Sequence, residues 1–124
     1  MVLHEHLGRE KAWAMILHIC PNAAWKAAQD SGFYTGDTLR SEGFIHCSTR
    51  DQVIEVADYV FRGRQGLLLL LIDETKVKAE IKYEDAGNGK LYPHVYGSLN
   101  LDAVMDAVTF SPRDDGTFEL PASV

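Results

Sequence analysis

The sequence predicts an α+β domain: two packed, mostly antiparallel sheets with two helices gathered toward the N-terminal half. Three observations carry that expectation. Helical spacing of apolar residues follows only the first two strand-like runs. From residue 66 onward, strand-like runs succeed one another with turn residues and no long crossover helix between them, and such strands pair antiparallel most easily. A length of 124 residues with 46% apolar content suits one domain with one core. That domain is expected over residues 12–124, after a flexible lead-in at 1–11 that holds His4 and His6 in a polar context.

Taken in order, residues 12–20 read as a first strand that Pro21 stops. Asn22 is placed to cap a helix over 23–31, with Gly32 just past its end and with Trp25 and Ala28 on one face. Residues 32–42 are polar and rich in turn formers, which predicts a loop, and its Phe33 and Tyr34 either pack on the core or roof a pocket. Residues 44–47 form a second strand. Thr49-Arg50-Asp51-Gln52 matches a capping box, so a helix is expected from about Thr49, supported by Val53, Val56, Ala57, Val60 and Phe61 and ended by Gly63.

The run of five leucines and Ile72 within 66–73 fits a strand buried on both faces, with a buried helix left as the alternative by periodicity alone. Residues 77–84 alternate, with Val77, Ala79, Ile81 and Tyr83 toward the core and Lys78, Glu80, Lys82 and Glu84 toward water. Asn88-Gly89 marks a turn into a strand at 91–96. Asn100 is placed to cap a short helical turn from Leu101, and residues 104–110 and 117–120 read as closing strands joined by Asp114-Asp115-Gly116.

The net charge of −6 argues against an extended nucleic-acid surface. Arg40, Arg50, Arg62 and Arg64 are a local basic exception that suits one phosphate-bearing small molecule. Cys20 and Cys47 lie inside apolar runs and read as reduced core thiols. The longest apolar run falls far short of the ~20 residues that span a bilayer, and no signal-peptide core is visible. A soluble, cytoplasmic protein with no membrane partner is expected.

The residues with chemical capacity follow one habit: a histidine in a strand-like run with a polar neighbour on the same face. His18 is followed two residues on by Cys20, His46 by Ser48, and His94 by Tyr96. If those faces converge they line a pocket. His46 lies just before the expected helix start, where first-turn amides, the hydroxyls of Ser48 and Thr49 and the charge of Arg50 would favour an anion. His94, beside Pro93, is placed as a general acid or base. His18 and Glu84 gain interest from this company, and Tyr34 could stack on a flat ring. Against each stands a bland alternative: a core histidine bonded to a carbonyl, a solvated carboxylate, or an aromatic that merely packs.

His18, Cys20, His46, Cys47 and His94 are side-chain types that zinc takes. No close Cys-x-x-Cys pair is present, however, and adjacent His46 and Cys47 point to opposite faces, so no metal is expected.

Leu17-His18-Ile19, Trp25, Ala28, Gly43-Phe44-Ile45-His46-Cys47-Ser48, Gln52, Val56-Ala57, Leu69-Leu70-Leu71-Ile72-Asp73, Tyr83-Glu84 and Pro93-His94-Val95-Tyr96-Gly97 together resemble a small bacterial family, domain-of-unknown-function family 952. The resemblance implies a fold similar to that of ADP-ribosyltransferases and the related RNA 2′-phosphotransferases, which hold NAD or an ADP-ribosylated intermediate between two antiparallel sheets. It places His18 at the first-strand position that grips the nucleotide, His46 and Ser48 on the second motif strand, and Glu84 or His94 at the late position.

Three functions follow as expectations. The first is an enzyme using NAD as substrate, for ADP-ribosyl transfer or NAD-glycosidic cleavage, with His18, His46, Glu84 and His94 catalytic and Ser48, Thr49, Arg50, Tyr34 and Tyr96 contacting ligand. The second is a non-catalytic module for a nucleotide or small anion, which the absence of a Glu-x-Glu pair favours. The third is a structural domain whose histidines only satisfy the core.

Overall fold

The computed structural model describes residues 14–124, so the expected lead-in and the first two residues of the expected first strand lie outside the described residues. The order is β1 (Met15–Pro21), α1 (Asn22–Ser31), β2 (Phe33–Tyr34), α2 (Thr38–Glu42), β3 (Ile45–His46), α3 (Val53–Val60), β4 (Leu67–Asp73), β5 (Glu80–Asp85), β6 (Leu91–Tyr96), β7 (Leu99–Asn100) and β8 (Val104–Phe110). Short 3-10 turns cover Glu74–Lys76 and Leu101–Ala103. The chain is α+β, and its strands pair antiparallel in sheets of order β1-β4-β8, β2-β7 and β3-β6-β5.

The leucine run is the central strand of the first sheet, which explains why nearly every residue of it is apolar. Leu67, Leu69 and Leu71 face one core with Leu17, Val53, Ala57, Phe110 and Phe118. Leu70 and Ile72 face a second core with Ile16, Cys20, Tyr34, Ile45, Cys47, Val95 and Leu99. This second core lies between the two larger sheets. Leu17 and Ser48 exchange backbone hydrogen bonds of 2.8 Å in both directions, so the chain beyond β3 is stitched to the edge of β1.

Several local expectations give way to tertiary contacts. Asn22 does not cap α1 but is its first residue, with Pro21 in the cap position and the Asn22 N–H given to Gly66 O at 2.9 Å. Residues 32–42 are not a loop. Tyr34 is drawn into the core by its ladder with Leu99, and α2 forms between Gly36 and Gly43, whose φ angles of +64° and +90° suit glycine.

Helix α3 begins at Val53 rather than Thr49. Only half of the capping box exists, Thr49 N–H to Gln52 Oε1 at 3.0 Å, while the Gln52 amide nitrogen donates to Leu91 O at 2.7 Å. The helix stops at Val60, before Gly63. β5 begins only at Glu80, because Lys78 N–H is taken by Asn100 Oδ1, and Tyr83 stays half exposed with its hydroxyl on Glu74. The 3-10 turn after Asn100 is present, but the Asn100 side chain serves Lys76, Lys78 and Asp102 instead of capping it.

Residues 117–120 are not a strand. Phe118 N–H donates to Asp58 Oδ1 at 2.7 Å and its ring stacks on Phe110 at 4.7 Å, so a side chain rather than a ladder holds the segment. Among the described residues no helix is long and apolar enough to cross a membrane.

Candidate functional site

The register of the β3-β6-β5 sheet assembles one polar face. His46 lies opposite His94, and His94 lies opposite Lys82, so the three share a row across the sheet. Glu84 and Tyr96, two residues from Lys82 and His94 along their strands, point to the same side. Ile45 and Val95 point the other way and are fully buried. Phe44, two residues before His46, folds over this face. Its ring stacks on His94 with centroids 4.1 Å apart and touches His46 at 4.8 Å and Tyr96 at 5.2 Å. His94 is thereby left only 5% exposed on a strand face that is otherwise solvated.

Glu84 is the hub. Its Oε1 accepts from His94 Nδ1–H at 2.9 Å and from the Tyr96 hydroxyl at 2.5 Å. These two donors, Tyr96 first, hold the carboxyl below its ordinary range, so it is ionised at neutral pH. The same hydrogen bond pushes the Tyr96 phenol up. Glu84 Oε2 and His94 Nε2 have no hydrogen-bond partner among the described residues, and neither is a buried orphan. With its Nδ1 proton on Glu84, the imidazole turns Nε2 away from the carboxylate, the arrangement of a carboxylate-oriented general base.

A second carboxylate–histidine pair stands alongside. His46 Nε2 lies 3.1 Å from Glu42 Oε1, and the His46 and His94 rings meet edge-on at 5.2 Å. Lys82 Nζ sits 4.7 Å above the Tyr96 ring and supplies the nearby positive charge.

His18 is not part of that constellation. Its Nδ1–H donates to the His46 carbonyl at 2.5 Å, which assigns the tautomer, and its Nε2 accepts from the Tyr34 hydroxyl at 2.7 Å. Burial drives its pKa down to about 4, against a smaller upward pull from the His46 carbonyl, so the ring is neutral. Burial likewise raises the Tyr34 phenol. Sequence reasoning grouped three histidines by strand faces, and the fold separates them: His46 and His94 share the outer face of one sheet, whereas His18 meets the free edge of β3 at the His46 carbonyl.

Groups expected to cradle an anion after His46 have partners elsewhere in the fold. Ser48 is buried with its backbone paired to Leu17. Thr49 N–H is committed to Gln52, and the Arg50 guanidinium reaches Val124 O at 3.1 Å, away from the histidines. Phe44, Glu42 and Lys82 were missed. Alternation would have put Phe44 on the His46 face and Lys82 on the Glu84 face, but the approach of Glu42 depends on α2. Cys20 and Cys47 are buried free thiols that burial pushes up to about 11 and about 12. Among the described residues no three His, Cys, Asp or Glu side chains converge as a metal ion needs.

A family model described as "Protein of unknown function (DUF952)" matches residues 19–107, a span that holds Glu42, His46, Lys82, Glu84, His94 and Tyr96 and begins just after His18. The chain is similar to the crystal structure of protein CC0527 from Caulobacter crescentus, with TM-score 0.79 and 30% identity over 86% of this chain and 94% of that one. The crystal structure of a double mutant of CC0527 gives the same values. The solution NMR structure of CC0527 gives TM-score 0.77 and 29% identity over 90% and 97% of the two chains. No curated protein matches.

Proposed function

Because the chain belongs to the DUF952 family, its activity has to be read from its own site, and we propose an acid–base enzyme that acts on NAD or an ADP-ribose-like nucleotide at the Glu84–His94 face. The observation that carries this is the state of Glu84: one oxygen anchored by two donors, the other unpartnered, and the carboxylate kept ionised. Breaking a nicotinamide–ribose bond develops positive charge on the ribose, and a fixed anion stabilises that charge without reorganising. In this reaction His94 Nε2 takes the proton of the attacking water or acceptor hydroxyl. Lys82 supplies a positive charge for a phosphate, His46 Nδ1, the nitrogen not engaged by Glu42, meets a ribose hydroxyl, and Phe44 and Tyr96 give flat surfaces. His18 acts by holding the β3 backbone through the His46 carbonyl.

The ADP-ribosyltransferase-like architecture implied by the sequence resemblance belongs to the same reading, as does a cytoplasmic setting in which the two buried thiols stay reduced. The test follows the histidine NMR signals on adding NAD, ADP-ribose or phosphate, with released nicotinamide assayed in the same sample. Movement of His46 and His94 with nicotinamide appearing is the expected result, and Glu84→Gln should slow product formation by about 10²–10⁴ while leaving the shifts. Shifts without product would replace the enzyme by a binding module. No response to any of the three would overturn the proposal.

A further inference from the structure

A second feature lies beside His18. Between α1, the turn after β2 and the loop after α3 runs a groove of about 550 Å³, within the range of small-molecule sites. Its floor includes Ala24, Ala27 and Ala28 of α1, three side chains that end at Cβ and leave a flat surface. Phe33 and Phe61 line it too, and Phe33 is 48% exposed although it adjoins the core residue Tyr34.

The polar groups divide into two kinds. His18 and Tyr34 are neutral and satisfied by each other and by the His46 carbonyl. Asp37 and Arg64 line the groove and make no side-chain hydrogen bond or ion pair to any described residue, and Arg64 lies 5.5 Å over the Phe61 ring. A cavity with a flat apolar floor, aromatic flanks and one unspent charge of each sign selects its occupant by shape and charge. The body must be flat, one part must be anionic to engage a guanidinium fork, and another must offer N–H donors to a carboxylate.

We infer that this groove is a binding site for a nitrogen heterocycle carrying an anionic group, with Arg64 holding the anion and Asp37 accepting from the ring's N–H edge. The site stands apart from the Glu84–His94 face and does not depend on the activity proposed there. No residue of the Glu84–His94 face lines the groove, and His18 links the two by lining the groove and donating to the His46 carbonyl.

Adenosine 5′-monophosphate is a suitable probe, with adenosine and inorganic phosphate as its two halves, titrated calorimetrically into the intact chain. Binding of the monophosphate is expected to exceed that of either half. Arg64→Ala should weaken it about tenfold or more, as loss of a charge-assisted contact does, and Asp37→Asn should weaken it less. Glu84→Gln should leave it within about twofold. Both groove substitutions are of side chains without polar partners among the described residues, so the variants should fold. Absence of monophosphate binding, or equal affinity in wild type and Arg64→Ala, would overturn the inference. Loss in Glu84→Gln with Arg64→Ala unaffected would overturn it too, by moving the ligand to the dyad. NAD turnover in Arg64→Ala reports separately on the enzymatic reading.

Discussion

Replacing His18 by glutamine should change how stability depends on pH, not only its size. In the folded protein the imidazole has one N–H, given to the His46 carbonyl, and one lone pair, filled by the Tyr34 hydroxyl. A second proton must go on Nε2, where burial strips hydration from the charged ring and the Tyr34 hydroxyl has to turn from donor to acceptor. The unfolded chain accepts that proton as pH falls through 6.5, whereas the folded chain resists until about 4. The folded pKa is the lower one, so the unfolded state holds more protons in this window and stability falls as pH drops through it. At about 1.4 kcal/mol per tenfold, the gap amounts to about 3 kcal/mol.

His18→Gln abolishes this titration. The variant should be less stable by about 1–3 kcal/mol at neutral pH, where a buried partner goes unsatisfied. That difference should shrink by up to about 3 kcal/mol toward pH 4, because only the wild type loses stability to imidazole protonation. Urea unfolding of both proteins across this pH range measures it, with the His18 ring protons followed by NMR. Parallel stability curves, or His18 titrating near its ordinary value, would refute the reasoning.

Tyr34→Phe leaves His18 Nε2 without its donor and should cost about 1–3 kcal/mol in denaturant midpoint analysis; an unchanged midpoint would mean water replaces the hydroxyl. Glu84→Gln removes the anion beside His94 and should lower any NAD turnover by about 10²–10⁴ while nucleotide affinity stays within a few-fold, so a parallel loss of affinity would count against its role in the reaction. Phe118→Ala should destabilise by about 3–5 kcal/mol, because its fully buried ring completes one of the two cores; a loss below about 1 kcal/mol would mean the C-terminal segment only rests on the domain.

Strong local patterns reached the right element. The leucine run, between turn signals, fitted a doubly buried strand with a buried helix as the alternative, and β4 is the central strand of its sheet. The residues of β6 and β8 and the turn between β5 and β6 also follow from alternation and turn chemistry. Expectations failed where a distant partner outweighed a local signal. Thr49 and Gln52 have the spacing of a capping box, yet Leu91 claims the glutamine amide. Residues 117–120 alternate like a strand, yet Asp58 takes the backbone and Phe110 the ring.

The candidate site divides along the same line. That His46 and His94 carry polar faces was legible, because alternation along a strand is a local property with a period of two. Sequence alone thus determined the class of fold, the antiparallel habit, the two-faced burial of residues 67–72 and the residue types available for chemistry. Tertiary structure alone decided which of them meet. Strand register puts His46, His94 and Lys82 in one row, α2 carries Glu42 to His46, and the Leu17–Ser48 stitch turns His18 toward a carbonyl instead of the other histidines. Register is a relation between segments tens of residues apart, and no local pattern encodes which pair of strands will share it.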